Sequence, residues 1–187
     1  MQPFATERLI LRPFRLDDAA HLHREIYADP LVLQHYSNRK HADPEQTRLY
    51  LADHLAAWQG DLGRHAVIRA EDGRLLGQVH LDSYVNRYYR WRGEADQPFN
   101  SVEVELAFAF GRRFWGQGYA TEACRAMIAY AFGALRLRRL VGGAHRPNER
   151  SVNLQRRLGY RVEDNLLGTG YVTILDNTGD YTPPPQP

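Results

Sequence analysis

The sequence predicts a mixed α/β domain, and three observations carry that prediction. An alternating apolar segment near the N-terminus is followed by two segments with helix caps and helical spacing. Short strand patterns flanking an Asp-Gly turn come next. The second half then reads strand, helix, strand, helix, strand, strand, the alternation expected of a sheet with helices packed on it. At 187 residues, with 43% hydrophobic and 25% charged residues, the chain can bury one sizeable core.

Arg8–Phe14 (RLILRPF) alternates apolar and polar positions and is rich in branched residues, so it reads as the first strand. Pro13 ends its regular pairing or places it at an edge. Asp17 or Asp18 caps a helix through AAHLHREIYA, and Asp29–Pro30 stops it. Asp43 caps the next helix, Pro44 takes its first position, and Leu49, Leu51, Leu55 and Trp58 supply its apolar face. Two short strands then flank the hairpin turn at Asp72–Gly73. Ser101–Phe110 (SVEVELAFAF) is a longer strand; it alternates first and is apolar afterwards, which sends it into the core. A helix over ATEACRAMIAYAFGAL, a strand over RRLVGGAHR, a short helix ending at Gly159 and a strand pair, YRVED and GYVTILDN, follow. The tail YTPPPQP suits neither helix nor central strand and reads as disordered, giving a domain over 1–176 and a tail over 177–187.

Composition excludes several classes. A net charge of +2 offers no strong field for nucleic acid or an anionic membrane. The longest apolar run is far below the roughly 18 residues that span a bilayer, and the N-terminus has no apolar signal core, so the chain reads as cytoplasmic. Cys124 is the only cysteine, sits in an apolar helical pattern and reads as a packing residue. His80 and His145 read as partly buried strand residues, and no His, Cys or carboxylate pair has metal-ligand spacing, so no metal is expected. The irregular stretch Val85–Ser101 mixes aromatics and arginines (NRYYRWR) before GEADQ. It reads as a loop bordering a substrate site; a solvated loop and a nucleic-acid contact are the other readings.

The stretch FWGQGYATEA, Phe114 to Ala123, places two glycines at a strand-to-helix turn. Such a turn holds anions, because helix N-termini have unpaired N–H groups and glycines let a phosphate approach. Gly111 and Gly116 have the first spacing of a nucleotide P-loop, but Gln117 and Gly118 follow where Lys and Ser/Thr belong. A dinucleotide-binding turn matches only weakly: Thr121 stands at the third glycine, and Arg138 to Val141 are basic and apolar.

Arg113-Phe-Trp-Gly116-Gln-Gly118 does fit [QR]-x-x-G-x-[GA], the acyl-CoA pyrophosphate signature of the GNAT superfamily of N-acyltransferases. TERLILRPFRLDDA, FWGQGYATEA and NERSVNLQRRLGY together resemble the branch that includes ribosomal-protein N-terminal alanine acetyltransferases, in that family's order and over roughly residues 6 to 175. The resemblance implies a bent mixed sheet of about seven strands flanked by helices. Its fourth strand (Val102–Phe110) and fifth strand (Leu140–His145) would splay apart to hold acetyl-CoA. Leu106, Ala107 and Phe108 would bond the pantetheine through their backbone. The N–H groups of Phe114, Trp115, Gly116, Gln117, Gly118, Tyr119 and Ala120 would cradle the pyrophosphate. Arg113 and the helix dipole would supply positive field without a metal ion.

The implied reaction is attack of an amine on an acetyl thioester. Glu105 falls where this branch commonly carries a glutamate, and is the expected base or amine-orienting residue. Period-two alternation puts Glu103 on the same face, where each carboxylate would disfavour the other's charge. Two positions depart from the family: Gly143 replaces a fifth-strand glutamate, and Gln155 replaces the tyrosine that protonates the thiolate. Ser151 is the substitute considered, as proton donor or plain cofactor contact. Asn148 caps its helix and often bonds CoA in the family; Asn153 and Arg156 follow on that helix, with Arg156 or Arg157 placed to pair with a phosphate or simply to face solvent. The acceptor would be a protein N-terminus or a small-molecule amine. Family members often pair, so a homodimer is the alternative to a monomer. A non-catalytic acyl-CoA-binding sensor is the competing function, supported by the same two departures.

Overall fold

A computed structural model of the chain describes residues 3–36, 40–57, 62–85, 102–165 and 168–179. Its strands are β1 (Phe4–Ala5), β2 (Leu9–Pro13), β3 (Gly63–Arg69), β4 (Leu75–Val85), β5 (Val102–Phe110), β6 (Arg139–His145), β7 (Arg161–Asp164) and β8 (Gly170–Asp176). They form one mixed sheet in the order β1-β2-β3-β4-β5-β6-β8-β7. Against the expected seven or so, eight strands lie among the described residues, because β1, only two residues long and too short for a period-two signal, pairs with β2 through Phe4↔Leu11 and Ala5↔Ile10. The expected fourth and fifth strands are therefore β5 and β6.

Contacts divide the chain into two compact units, Met1–His80 with Phe108–Cys124, and Leu81–Ala107 with Arg125–Pro187. In the first unit, a 3-10 turn (Leu16–Asp18), α1 (Ala19–Leu22) and a π turn (His23–Tyr27) run on from one another. Asp18 accepts the Arg15 N–H at 2.7 Å and takes both Arg12 guanidinium nitrogens. Asp29–Pro30 both ends this segment and starts another: Asp29 caps α2 (Pro30–Leu33) by accepting the Leu31 N–H. Helix α3 (Pro44–Ala57) is capped by Asp43, whose carboxylate accepts the Gln46 N–H. Leu51 is wholly buried and Leu55 packs on the core, but Leu49 is 53% exposed. Two residues on a helix are about 200° apart, so Leu49 cannot share the face of Leu51. Trp58 lies outside the described residues. Phe14, Leu22, Ile26, Leu51, Ile68, Leu75 and Ala109 form this unit's core.

In the second unit β6 pairs with β8 along its whole length, from Arg139↔Asp176 to His145↔Gly170, and β8 pairs with β7. By contrast β5 meets β6 in parallel at one registered position, Glu105↔Val141. Beyond Glu105 no further β5–β6 pair is registered among the described residues. Helix α5 (Glu149–Arg157) buries Val152 and Leu154, and Gly159 closes its end with φ +92°. Helix α4 (Tyr119–Gly133) buries Cys124 completely, the packing role expected, and burial pushes that thiol up. Of the strand histidines, His80 is buried as expected, whereas His145 at the end of β6 is exposed. The stretch Val85–Ser101 begins within β4; residues 86–101 and 180–187 lie outside the described residues.

Candidate active site

After β5 the chain makes a 3-10 turn, Arg112–Phe114, before α4 begins. The Phe114 N–H donates to the Gly111 carbonyl at 2.9 Å and the Trp115 N–H to the Arg112 carbonyl at 3.2 Å. These two groups close the turn itself, so two of the N–H groups expected to cradle a pyrophosphate are already engaged. Gly116 and Gly118 hold φ +75° and +82°, the left-handed region that a β-carbon makes costly. A β-carbon at Gly116 would meet nothing within 4 Å, so the approach to the start of α4 is open there. The first N–H groups of a helix have no partner inside it and carry the positive end of its dipole.

Charged side chains brace this turn. Glu122, in the first turn of α4, accepts the Thr6 hydroxyl at 2.5 Å, the Arg8 N–H at 2.9 Å and the Arg8 Nε at 2.7 Å. Burial works against its charge, yet these bonds hold its carboxyl below the usual range. Arg8 also donates to the Gln117 carbonyl at 3.1 Å and stacks over Tyr119, and its Nη2 would lie 3.2 Å from a β-carbon on Gly118. Sequence reasoning missed Arg8, which contacts the turn from more than a hundred residues away. Arg113 forks onto Glu25, through Nε at 3.0 Å and a second bond from Nη2 to Oε1. Glu25 is buried, also bridges Arg24 at 3.0 Å, and would lie 2.6 Å from a β-carbon on Gly111. Arg113 was expected to lend its charge to a ligand; much of that charge is met by Glu25, and the pair ties the turn to the π turn before α2.

In the second unit Glu105 is half-buried at the last registered position of β5. Leu106 beyond it is buried, and Ala107 and Phe108 are half-buried. Glu103, two residues before Glu105 on β5, is buried. Its buried carboxylate takes Arg139 in a forked ion pair, Nε to Oε2 at 2.8 Å and Nη2 to Oε1, and this structural pairing accounts for Glu103.

Asn148 caps α5 by accepting the Ser151 N–H at 3.3 Å. Ser151, half-buried, accepts a hydrogen bond from Gln155 Nε2 at 3.1 Å. Gln155, where the resemblance expected a tyrosine, is buried, and its Oε1 accepts the hydroxyl of buried Thr173 on β8. Arg156 donates to Asn153 at 3.2 Å on the exposed side of the helix, and Gly143 sits exposed on β6. Sequence reasoning assigned Gln155 no role, since its partners come from elsewhere in the chain.

The first unit also holds a polar cluster around the Tyr36 hydroxyl. The Tyr36 hydroxyl accepts from Arg64 at 2.7 Å and from Gln78 at 2.9 Å, and lies 3.1 Å from His80 Nε2. His65 nearby is buried, which pushes its imidazole down to about 4, so it is neutral near pH 7.

The sheet order, the single registered pair between β5 and β6, and the glycine turn opening α4 define the acetyltransferase class of α/β folds. Residues 8–161 match the family model described as an acetyltransferase (GNAT) domain, and the chain belongs to that family. It is 28% identical over 168 residues to the uncharacterized N-acetyltransferase p20 of Bacillus licheniformis, covering 89% of this chain and 86% of that protein. It is 23% identical over 157 residues to spermidine N(1)-acetyltransferase of Escherichia coli K12, covering 84% and 75%. The solved ribosomal-protein-S5-alanine acetyltransferase of Vibrio fischeri has the same fold, with TM-score 0.73 at 17% identity over 98% of this chain and 100% of that one. Among the described residues no helix is long and apolar enough to cross a membrane.

Proposed function

We propose that this chain transfers the acetyl group of acetyl-CoA to a primary amine. The observation that carries the proposal is the turn at Gly116. Its left-handed backbone and the open space beside it lead to the unpaired N–H groups of α4, within a domain of acetyltransferase type. A pyrophosphate fits that cradle on backbone donors and the helix dipole. Gly116, Gln117, Gly118, Tyr119 and Ala120 are its proposed donors, with Arg8 and Arg113 fixing their positions. The backbone of Leu106, Ala107 and Phe108, past the registered β5–β6 pair at Glu105, is the proposed pantetheine contact. Asn148, Asn153 and Arg156 are proposed contacts from α5.

Acetyl-CoA supplies a thioester whose carbonyl carbon a neutral amine can attack. A carbon–nitrogen bond forms, the carbon–sulfur bond breaks with its electron pair on sulfur, and the amine must shed a proton. Glu105 is the proposed residue that orients the amine and takes that proton, directly or through one water. Ser151 is the proposed group facing the sulfur. An aliphatic hydroxyl is a far weaker acid than a thiol of pKa about 8.5, so Ser151 stabilises the departing thiolate by a hydrogen bond and leaves its protonation to solvent. The relatives named for spermidine and for a ribosomal-protein alanine make polyamines and protein N-termini the first acceptors to try.

The test is binding of acetyl-CoA followed by release of CoA thiol with spermidine and with peptides bearing N-terminal Ala or Ser. Glu105→Gln should lower kcat by about 10²- to 10⁴-fold with CoA affinity unchanged. Absence of binding by acetyl-CoA and by longer acyl-CoAs would overturn the proposal. Gln155 and Gly143, standing where the family carries its tyrosine and glutamate, favour a second reading, a non-catalytic acyl-CoA-binding sensor. Tight CoA binding with no turnover across a broad amine panel would decide for it.

A further inference from the structure

We infer that Gln155 is a positioning residue that turns the Ser151 hydroxyl outward, so that its hydrogen is offered to the sulfur of the bound thioester. The inference rests on the acetyl-CoA reading above. It starts from the single hydrogen of a serine hydroxyl. Gln155 stands one turn beyond Ser151 on α5, and its Nε2 donates to Ser151 Oγ at 3.1 Å. With the oxygen accepting on that side, the O–H is directed away from Gln155. A serine left to itself turns its hydrogen to any acceptor within reach, often a carbonyl of its own helix.

The amide is itself held in one orientation. Gln155 Oε1 accepts the Thr173 hydroxyl, and both residues are buried. Gly142 on β6 lies opposite Thr173 in the sheet register. A β-carbon at Gly142 would fall 2.7 Å from Thr173 Oγ1 and 2.8 Å from Gln155 Oε1, so only glycine leaves room for both oxygens. A flipped amide would reverse both hydrogen bonds and bring its NH₂, in place of the oxygen, against the Gly142 Cα edge. The oxygen there instead meets a Cα–H, a weakly favourable contact. Thr173, Gln155 and Ser151 thus form a chain in which each hydrogen points toward the next group, ending on the Ser151 O–H. No proton leaves any of the three; the chain sets direction and polarises the last donor.

The readout is the titration of the CoA thiol in its complex, by ultraviolet thiolate absorbance, with the desulfo-CoA complex subtracted to remove tyrosine signals. Cys124 is buried with its thiol pushed up and does not interfere. A hydrogen bond from Ser151 to the thiolate should make bound CoA titrate about one pH unit below free CoA. Ser151→Ala and Gln155→Met should each return it toward the free value, and the double variant should go no further than Ser151→Ala alone, because Gln155 acts through Ser151. Affinity for desulfo-CoA should stay unchanged across the set, which a general loss of structure would not allow. Should Gln155→Met fail to fold, Thr173→Val, which removes the donor holding the amide, should move the thiol in the same direction. A Gln155→Met complex that titrates like the original protein, a shift additive with that of Ser151→Ala, or a Ser151→Ala complex without a shift overturns the inference. Failure of CoA to bind at all instead overturns the acetyl-CoA reading on which it rests.

Discussion

The glycine turn and the α5 hydrogen-bond chain are built from opposite materials. The turn is backbone, left-handed glycines and a helix end, braced by Arg8–Glu122 and Arg113–Glu25. The chain from Thr173 through Gln155 to Ser151 has no charge at all. The difference follows from what each would face. A pyrophosphate keeps its charge throughout the reaction, so a permanent positive field suits it. A thioester sulfur gains charge only as the bond breaks, and a fixed neutral donor favours that moment without binding a formal charge beforehand. The buried ion pair of the second unit, Glu103–Arg139, is accordingly structural.

The largest expected effect separates the two kinds of ion pair. Arg139→Met strips the main partner from a carboxylate that is 2% exposed, leaving Glu103 with the exposed Arg138 at 3.7 Å. Losing one partner of a buried pair costs about 3–5 kcal/mol. Arg113→Met removes a guanidinium that is 48% exposed, and Glu25 keeps Arg24 at 3.0 Å. Solvent screening holds that loss to about 1 kcal/mol. Urea unfolding at constant m-value measures both. Equal losses would mean that the turn's ion pairs are as structural as the buried one, and the contrast would fail.

The same contrast explains what was legible in the sequence. Strands, helices and caps are local, so alternation, Asp43–Pro44 and the Gly159 stop gave most element positions to within a residue or two. The glycine turn is also local: Gly116 and Gly118 stand two residues apart, and both hold the left-handed backbone that glycine favours. The second region is assembled from positions 142, 151, 155 and 173, which no spacing rule connects. Only the β6–β8 register brings Gly142 opposite Thr173. Arg8 and Glu25 escaped for the same reason, since their partners lie 114 and 88 residues away. Alternation put Glu103 and Glu105 on one face but could not report Arg139, the partner that Glu103 meets there.

Two glycines then sharpen the contrast by being required for different reasons. Gly142→Ala has ordinary strand backbone but no space, because its β-carbon meets two buried oxygens below 3.0 Å. Overpacking of this kind costs about 1–3 kcal/mol. It should also displace Gln155 from Ser151, so the bound CoA thiol should titrate closer to free CoA while desulfo-CoA affinity changes little. A normal thiol titration in this variant would show that the chain does not depend on the room Gly142 leaves.

Gly116→Ala is the reverse case, with space but the wrong backbone. Its β-carbon would meet nothing within 4 Å, so the stability loss comes only from φ +75°, about 1–2 kcal/mol. The open space that spares the fold is where the proposed pyrophosphate approaches, so the ligand should feel the substitution more than the protein does. CoA and desulfo-CoA should both bind about tenfold more weakly, as loss of an anion contact requires, and the thiol titration of the residual complex should stay where it was. Calorimetric titration of both ligands checks this. If Gly116→Ala instead shifts the thiol and leaves affinity intact, the turn is acting on the sulfur and the division between a charged grip and a neutral donor is wrong.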